Sequence, residues 1–150
     1  MMNDFNHLHV VISAKVRNPP RTVEAMDAWL LATVAAVNMK VLMGPFSTRC
    51  ETAGNVGVTG IVVIETSHLS CHCWEEASEP FLNVDLYSCA TFTPDAVVQT
   101  IRQHFDASAV TVLFIDRNDN AAVPHVIEEY IERFPLHESR LAGDVGRVTH

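Results

Sequence analysis

The chain has 150 residues, 48% of them hydrophobic and 19% charged, which predicts one globular domain with a sizeable core rather than a disordered segment. Ten basic residues against eighteen acidic residues give a formal net charge of −8, which argues against a surface built for nucleic acid or an anionic membrane. No signal peptide and no apolar run of transmembrane length is evident, so the four cysteines indicate reduced thiols and a cytoplasmic protein.

The hydrophobic pattern predicts a chain in which two helices interrupt a series of strands. In chain order, the predicted elements are a strand at 8–12, a helix at 23–38, strands at 40–46, 58–64, 68–74 and 81–89, a helix from 93 to about 105 and a strand at 110–115. Thr22 is a suitable N-cap for the first helix, and Pro94 suits the first position of the second. The order β-α-β-β-β-β-α-β predicts an α+β two-layer sandwich, a mainly antiparallel sheet with helices on one face.

The C-terminal part differs from the preceding domain, which we place at residues 1–117. After Pro124, apolar residues spaced as on one face of a helix predict an amphipathic helix that packs on the domain or on a partner subunit. Those residues are Val126, Ile127, Tyr130, Ile131 and Phe134. The tail beyond Pro135 is polar. Residues 118–150 are therefore expected to form a helical extension with a loose end.

Strand alternation divides the central hairpin, residues 68–89, into two chemically different faces. One face is apolar and must be covered by the helices. The other face carries polar, aromatic or nucleophilic groups: His68, Ser70, His72, Trp74, Phe81, Asn83, Asp85, Tyr87 and Cys89. This reactive face needs either solvent or a second sheet, and a subunit interface with a cleft would provide one.

The run Cys71-His72-Cys73 invites comparison with a metal site, but its spacing argues against one. In a strand the two cysteines point to one face and the histidine to the other, and no second pair has ligand spacing. We therefore expect no metal, and we interpret Cys71 and Cys73 as small core residues.

Residues 57–89 resemble the self-processing segment of the bacterial-type S-adenosylmethionine decarboxylase proenzymes. That family has a glycine-bracketed strand, a Glu-Ser-His turn, a further histidine, a Trp-Pro-Glu and an apolar-Asp-apolar strand that ends in cysteine. The corresponding segments here are Gly57-Val58-Thr59-Gly60, Ser67-His68, His72, Trp74-Glu75-Glu76 and Val84-Asp85-Leu86-Tyr87-Ser88-Cys89. The resemblance extends over roughly residues 7–116.

The resemblance implies a self-processing carboxy-lyase. The Ser67 hydroxyl would attack the carbonyl of Thr66, and β-elimination from the resulting ester would cut the chain between these two residues. A pyruvoyl group, the self-derived cofactor, would replace Ser67. It would form a Schiff base with the amine of the small-molecule substrate, S-adenosylmethionine, and act as the electron sink for decarboxylation in polyamine biosynthesis.

The resemblance also assigns roles to the surrounding residues. His72 and Thr59 match the positions that assist processing, and Cys89 matches the residue that reprotonates the α-carbon of the product. Glu76 matches the carboxylate that holds the ribose hydroxyls, and Trp74 is expected to pack beside the ligand, where its ring could favour a sulfonium.

Three departures from the family pattern leave alternatives open. Thr66 stands where the family has glutamate, Glu75 replaces a proline, and the loop 53–56 lacks an aromatic residue. The missing aromatic suggests a pyruvoyl decarboxylase of another amino acid, such as ornithine or arginine. The altered turn suggests a relative that never cleaves and acts as a binding or regulatory subunit. For the enzyme we expect a homodimer with the reactive face near its interface.

Overall fold

A seven-stranded antiparallel sheet with two helices on one face forms the protein. The computed structural model describes residues 6–118 and 123–136. In chain order, its elements are β1 (Leu8–Val16), α1 (Val23–Ala36), β2 (Val41–Cys50), β3 (Gly57–Ile64), β4 (Ser67–Trp74), β5 (Phe81–Ser88), α2 (Pro94–Phe105), β6 (Ala107–Asp116) and β7 (His125–Arg133). The strands lie in the order β2-β3-β4-β5-β1-β6-β7. The predicted α+β sandwich is confirmed, with one further strand at its end.

The helices cover one face of the sheet and enclose the core. On β1 every second residue from Leu8 to Val16 is buried, as expected for a strand with one covered face. Trp29 of α1 is fully buried, and its indole N–H donates a 3.2 Å hydrogen bond to the hydroxyl of Thr100 on α2. The Thr22 hydroxyl accepts a hydrogen bond from the Ala25 amide and so caps α1 as predicted.

The opposite face, which we call the open face, has no element packed on it within the described residues. Its side chains include histidines, Asp85 and Tyr87 near the centre, and apolar groups that are unusually exposed. Phe46, for example, is 58% exposed and Met43 is 59% exposed. The face that the sequence predicts to be reactive is therefore this one.

The predicted C-terminal helix is wrong, because the residues after Pro124 form strand β7. Antiparallel pairing with β6 places Tyr130 opposite Val112 and Ile131 opposite Thr111. The edge of β6 has backbone N–H and C=O groups that a strand can pair with and a helix cannot, and β-branched residues fit a strand well. Residues 119–122 and 137–150, which include most of the predicted tail, lie outside the described residues.

Strand β2 is longer than predicted and runs on through Cys50. Its polar end, interpreted from sequence as a loop, pairs with β3, so that Thr48 lies opposite Thr59 and Arg49 opposite Val58. The loop that follows therefore covers only residues 51–56. Neither of the helices described is long and apolar enough to cross a membrane.

Candidate active site

Ser67 lies at the tight turn between β3 and β4. The two strands pair up to Ile64 and Ser67, so only Glu65 and Thr66 remain in the turn. The backbone φ of Ser67 is 141°, which residues other than glycine rarely adopt. Conformations of this kind cost on the order of 1–3 kcal/mol. The backbone is thus strained at the residue predicted to attack the preceding carbonyl.

Cys89 reaches the same turn from the end of β5. Its backbone N–H donates a 2.9 Å hydrogen bond to the carbonyl oxygen of Thr66. Strand β5 holds it there, because Ser88 pairs with Ser67 and is fully buried. An N–H aimed at a carbonyl favours the negative charge that develops on the oxygen under nucleophilic attack. The structure therefore brings Thr66, Ser67 and Cys89 together.

Thr59 and His72 form a second, separate pair on the open face. They lie opposite each other on β3 and β4, and the Thr59 hydroxyl is 3.1 Å from Nδ1 of His72. Both are exposed. Since a strand rises about 3.3 Å per residue, His72 lies about 17 Å along β4 from Ser67. One copy of the chain therefore does not bring the predicted proton carriers to the predicted cleavage point.

Trp74 and Glu76 border a cavity of about 530 Å³ at the same end of β4 as His72. The cavity is lined by Gly54, Val56, Trp74, Glu76, Ala77 and Phe81. The rings of Trp74 and Phe81 stack with centroids 5.0 Å apart and form an aromatic wall. A carboxylate oxygen of Glu76 accepts a 2.9 Å hydrogen bond from the Gly54 amide. The two predicted substrate-binding residues therefore share one cavity.

Several residues of this cavity were not predicted as functional. Phe81 supplies half of the aromatic wall from β5, and Asn55 accepts a 2.8 Å hydrogen bond from the Trp74 indole. Phe81 does lie opposite Trp74 in the pairing of β4 with β5. An aromatic on each side of the predicted hairpin loop was the signal that could have identified it.

Asp85, to which the sequence analysis assigns no role, is shared by two histidines on the open face. Nε2 of His9 and Nε2 of His68 lie 2.8 Å and 3.0 Å from its two carboxylate oxygens. The hydrogen bond from His9, with a smaller contribution from His68, holds the pKa of Asp85 below its usual value. Because His68 follows Ser67 directly, this cluster also anchors the first residues of β4.

The two cysteines of β4 belong to the core, as predicted. Cys71 is fully buried and Cys73 is 4% exposed. Burial raises the pKa of Cys71 well above its usual value and that of Cys73 to about 11, so both remain thiols. Across residues 6–118 and 123–136, no three His, Cys, Asp or Glu side chains are grouped so that they could hold a metal ion.

Comparison with known proteins shows which family the chain resembles. A sequence model of the S-adenosylmethionine decarboxylase family matches residues 9–118. The S-adenosylmethionine decarboxylase proenzyme of Thermodesulfovibrio yellowstonii is 26% identical over 126 residues, which cover 79% of this chain and 89% of that protein.

Two further relatives match shorter stretches. The S-adenosylmethionine decarboxylase proenzyme of Thermomicrobium roseum is 34% identical over 62 residues, 41% of this chain and 52% of that protein. The proenzyme of the same name from Thermococcus kodakarensis is 32% identical over 80 residues, 51% of this chain and 54% of that protein. The matched stretches thus cover about half the length of each of these two relatives.

Proposed function

The chain belongs to the S-adenosylmethionine decarboxylase family, whose members are carboxy-lyases, and we propose that it is a proenzyme that cuts itself between Thr66 and Ser67. The observation that carries the proposal is the strained backbone conformation of Ser67 at this turn. Ser67 has a φ of 141°, and the Cys89 amide donates to the carbonyl that Ser67 would attack. Relief of strain and stabilisation of the oxyanion both lower the barrier to attack.

The proposed self-cleavage uses these groups in three steps: an acyl shift, an elimination and a hydrolysis. The Ser67 hydroxyl adds to the Thr66 carbonyl, the C–N bond breaks, and the amine of Ser67 is released as the acyl group moves to oxygen. Removal of the Ser67 α-proton then expels the Thr66 carboxylate and cuts the chain. Hydrolysis of the remaining enamine releases ammonia and leaves a pyruvoyl group, which supplies an electron sink for decarboxylation.

Within one copy, the residues proposed to transfer protons during processing lie far from Ser67. Thr59 and His72 form a hydrogen-bonded pair suited to general acid–base work, but they lie about 17 Å along the strand. A second copy that packs its open face on the first would bring its own Thr59 and His72 to the cleavage point. Exposed apolar side chains on this face, such as Phe46 and Ile61, support such a homodimer.

S-adenosylmethionine is the substrate that the cavity best supports, and the enzyme would then act in polyamine biosynthesis in the cytoplasm. The stacked rings of Trp74 and Phe81 offer a flat apolar wall for a base and a π face for a sulfonium. Glu76 offers a carboxylate to ribose hydroxyls, and Cys89 is placed to return a proton to the product. The loop 53–56 contributes no aromatic residue, which makes ornithine or arginine the second candidate.

The mass of the freshly purified, denatured protein tests the proposal. We expect two fragments separated between Thr66 and Ser67, the second with a blocked pyruvoyl end. Ser67→Ala should give one uncut chain, whereas Ser70→Ala, a serine on the same strand, should still be cut. An uncut wild-type chain after long incubation would favour the non-enzymatic relative.

Release of CO₂ from each amino acid then identifies the substrate of the cut enzyme. S-adenosylmethionine, ornithine and arginine are supplied separately at equal concentration. We expect release from S-adenosylmethionine. Release from ornithine or arginine alone would replace the proposed substrate while leaving the self-cleavage mechanism in place.

A further inference from the structure

Arg49 and Glu75 form a bidentate ion pair beside the cavity, and neither has a predicted role. The two terminal nitrogens of the Arg49 guanidinium lie 2.5 Å and 3.0 Å from the two oxygens of Glu75. The same guanidinium donates from Nε to Glu51 and from Nη1 to the backbone carbonyl of Arg21. One side chain thus joins the end of β2, the segment before α1 and the end of β4.

The loop 51–56, which we call the cavity loop, is held by hydrogen bonds to Glu75 and to the residues on either side of it. The Glu75 amide donates a 3.1 Å hydrogen bond to the carbonyl of Val56. On either side, the Trp74 indole donates to Asn55 and Glu76 accepts from Gly54. The three hydrogen bonds that join the cavity loop to residues 74–76 therefore depend on where these residues are held.

Burial and charge make this pair different from an ordinary surface ion pair. The side chain of Glu75 is only 9% exposed and that of Arg49 is 28% exposed. The hydrogen bonds from Arg49 lower the pKa of Glu75, so its carboxylate stays charged, and the more exposed Arg21 adds a second cation 3.9 Å away. By contrast, Lys15 and Glu79, a pair in the adjacent segment, are 54% and 63% exposed, and such pairs contribute little.

We propose that Arg49 and Glu75 are positioning residues for the substrate cavity: they fix the cavity loop against Trp74 and Glu76, and thereby set substrate affinity. This inference rests on the proposed function. Neither residue lines the cavity or touches the turn at Ser67. Loss of the pair should therefore loosen the cavity and weaken binding, without a matching effect on self-cleavage or on the chemical step.

The experiment compares Arg49→Met, Arg49→Lys and Glu75→Gln with Lys15→Met as the matched control. Lysine keeps the positive charge but cannot form the bidentate hydrogen bonds to Glu75, so Arg49→Lys should have a smaller effect than Arg49→Met. Three quantities are measured for each protein: the rate of self-cleavage, kcat and KM for S-adenosylmethionine, and amide hydrogen exchange of peptides that cover the cavity loop.

For Arg49→Met we expect KM to rise about tenfold, faster exchange in the cavity loop, and kcat and self-cleavage within about twofold of wild type. For Arg49→Lys and Glu75→Gln, KM and exchange in the cavity loop should lie between the values of wild type and Arg49→Met. Lys15→Met should match wild type. Unchanged KM and exchange would overturn the inference, and so would a slowing of self-cleavage equal to the rise in KM.

The hydrogen-exchange measurement separates this inference from the proposed function. Failure of the wild-type chain to cut itself would refute the proposed function, yet exchange in the cavity loop would still show whether the pair holds it. If Arg49→Met does not fold, Arg49→Lys and Glu75→Gln decide by the same criteria.

Discussion

The two ends of strand β4 differ in what they offer to the reaction. At the Ser67 end, the backbone of Ser67 is strained beside the buried Ser88. The preceding carbonyl, that of Thr66, accepts a hydrogen bond from the backbone amide that follows β5. At the His72 end, an exposed hydrogen-bonded pair lies beside an open cavity. One end holds the bond that we propose is cut, and the other holds the proposed proton carriers. A chain divided in this way would complete its site only when two copies meet, which would tie self-cleavage to assembly.

Complementation between two inactive variants is the strongest way to break this comparison. Ser67→Ala lacks the attacking hydroxyl and His72→Ala lacks the proton carrier, so each alone should remain uncut. When they are co-expressed, a mixed dimer contains one complete site, formed by Ser67 of one chain and His72 of the other. We expect the His72→Ala chain to be cut and the Ser67→Ala chain to stay whole, as measured by mass.

The control for complementation is a chain that carries both substitutions. Mixed with His72→Ala, it should restore nothing, because that mixed dimer has no site with both groups. If the two single variants also restored nothing while still forming mixed dimers, the two ends of β4 would have to act within one copy.

Cys89→Ala separates the role of the Cys89 backbone amide at the Ser67 end from the role of the Cys89 thiol. The substitution keeps the amide that donates to Thr66, so self-cleavage should proceed within a few-fold of wild type. It removes the thiol proposed to reprotonate the product, so turnover should fall by about 10²-fold or more. Mass measures the first rate and CO₂ release the second, and unchanged turnover would remove the thiol from the site.

Gly57→Ala tests how tightly the His72 end is built into the sheet. A Cβ at residue 57 would lie 1.8 Å from the carbonyl oxygen of Cys73, which is backbone and cannot rotate away. Overpacking of this kind costs about 1–3 kcal/mol, measured here as the free energy of unfolding in urea. The exposed Gln103→Ala on α2 should change it by less than about 0.5 kcal/mol. Equal values for the two variants would contradict the packing described.

Asp85→Asn gives the smallest effect and concerns the histidines near the Ser67 end. The folded pKa of Asp85 is lowered, so its contribution to stability is present above the usual value of 3.8 and is lost as pH falls through the folded pKa. The variant should be less stable than wild type at pH 5 and should lose less stability on acidification to about pH 2. Parallel pH profiles in urea unfolding would rule out this contribution.

The sequence by itself determined the architecture of the first 116 residues to a large extent. Strict alternation on β1 and β4 predicted one covered face, and Thr22 and Pro94 predicted where the helices begin. The same alternation correctly assigned Cys71 and Cys73 to the core, because a side-chain period of two is a local property of any strand. Thr59, Ser67, His72 and Cys89 were identified as candidate site residues by the resemblance of residues 57–89 to a family pattern, and their roles stay predictions.

Only the tertiary structure determined that residues 125–133 form a strand and which side chains of neighbouring strands come into contact. Apolar residues there fit both a helix and a strand, and the free edge of β6 selected the strand by supplying backbone hydrogen bonds. The stacking of Trp74 on Phe81 and the Arg49–Glu75 pair depend on which strands lie side by side. Strand pairing joins residues far apart in sequence, and no local pattern encodes that arrangement.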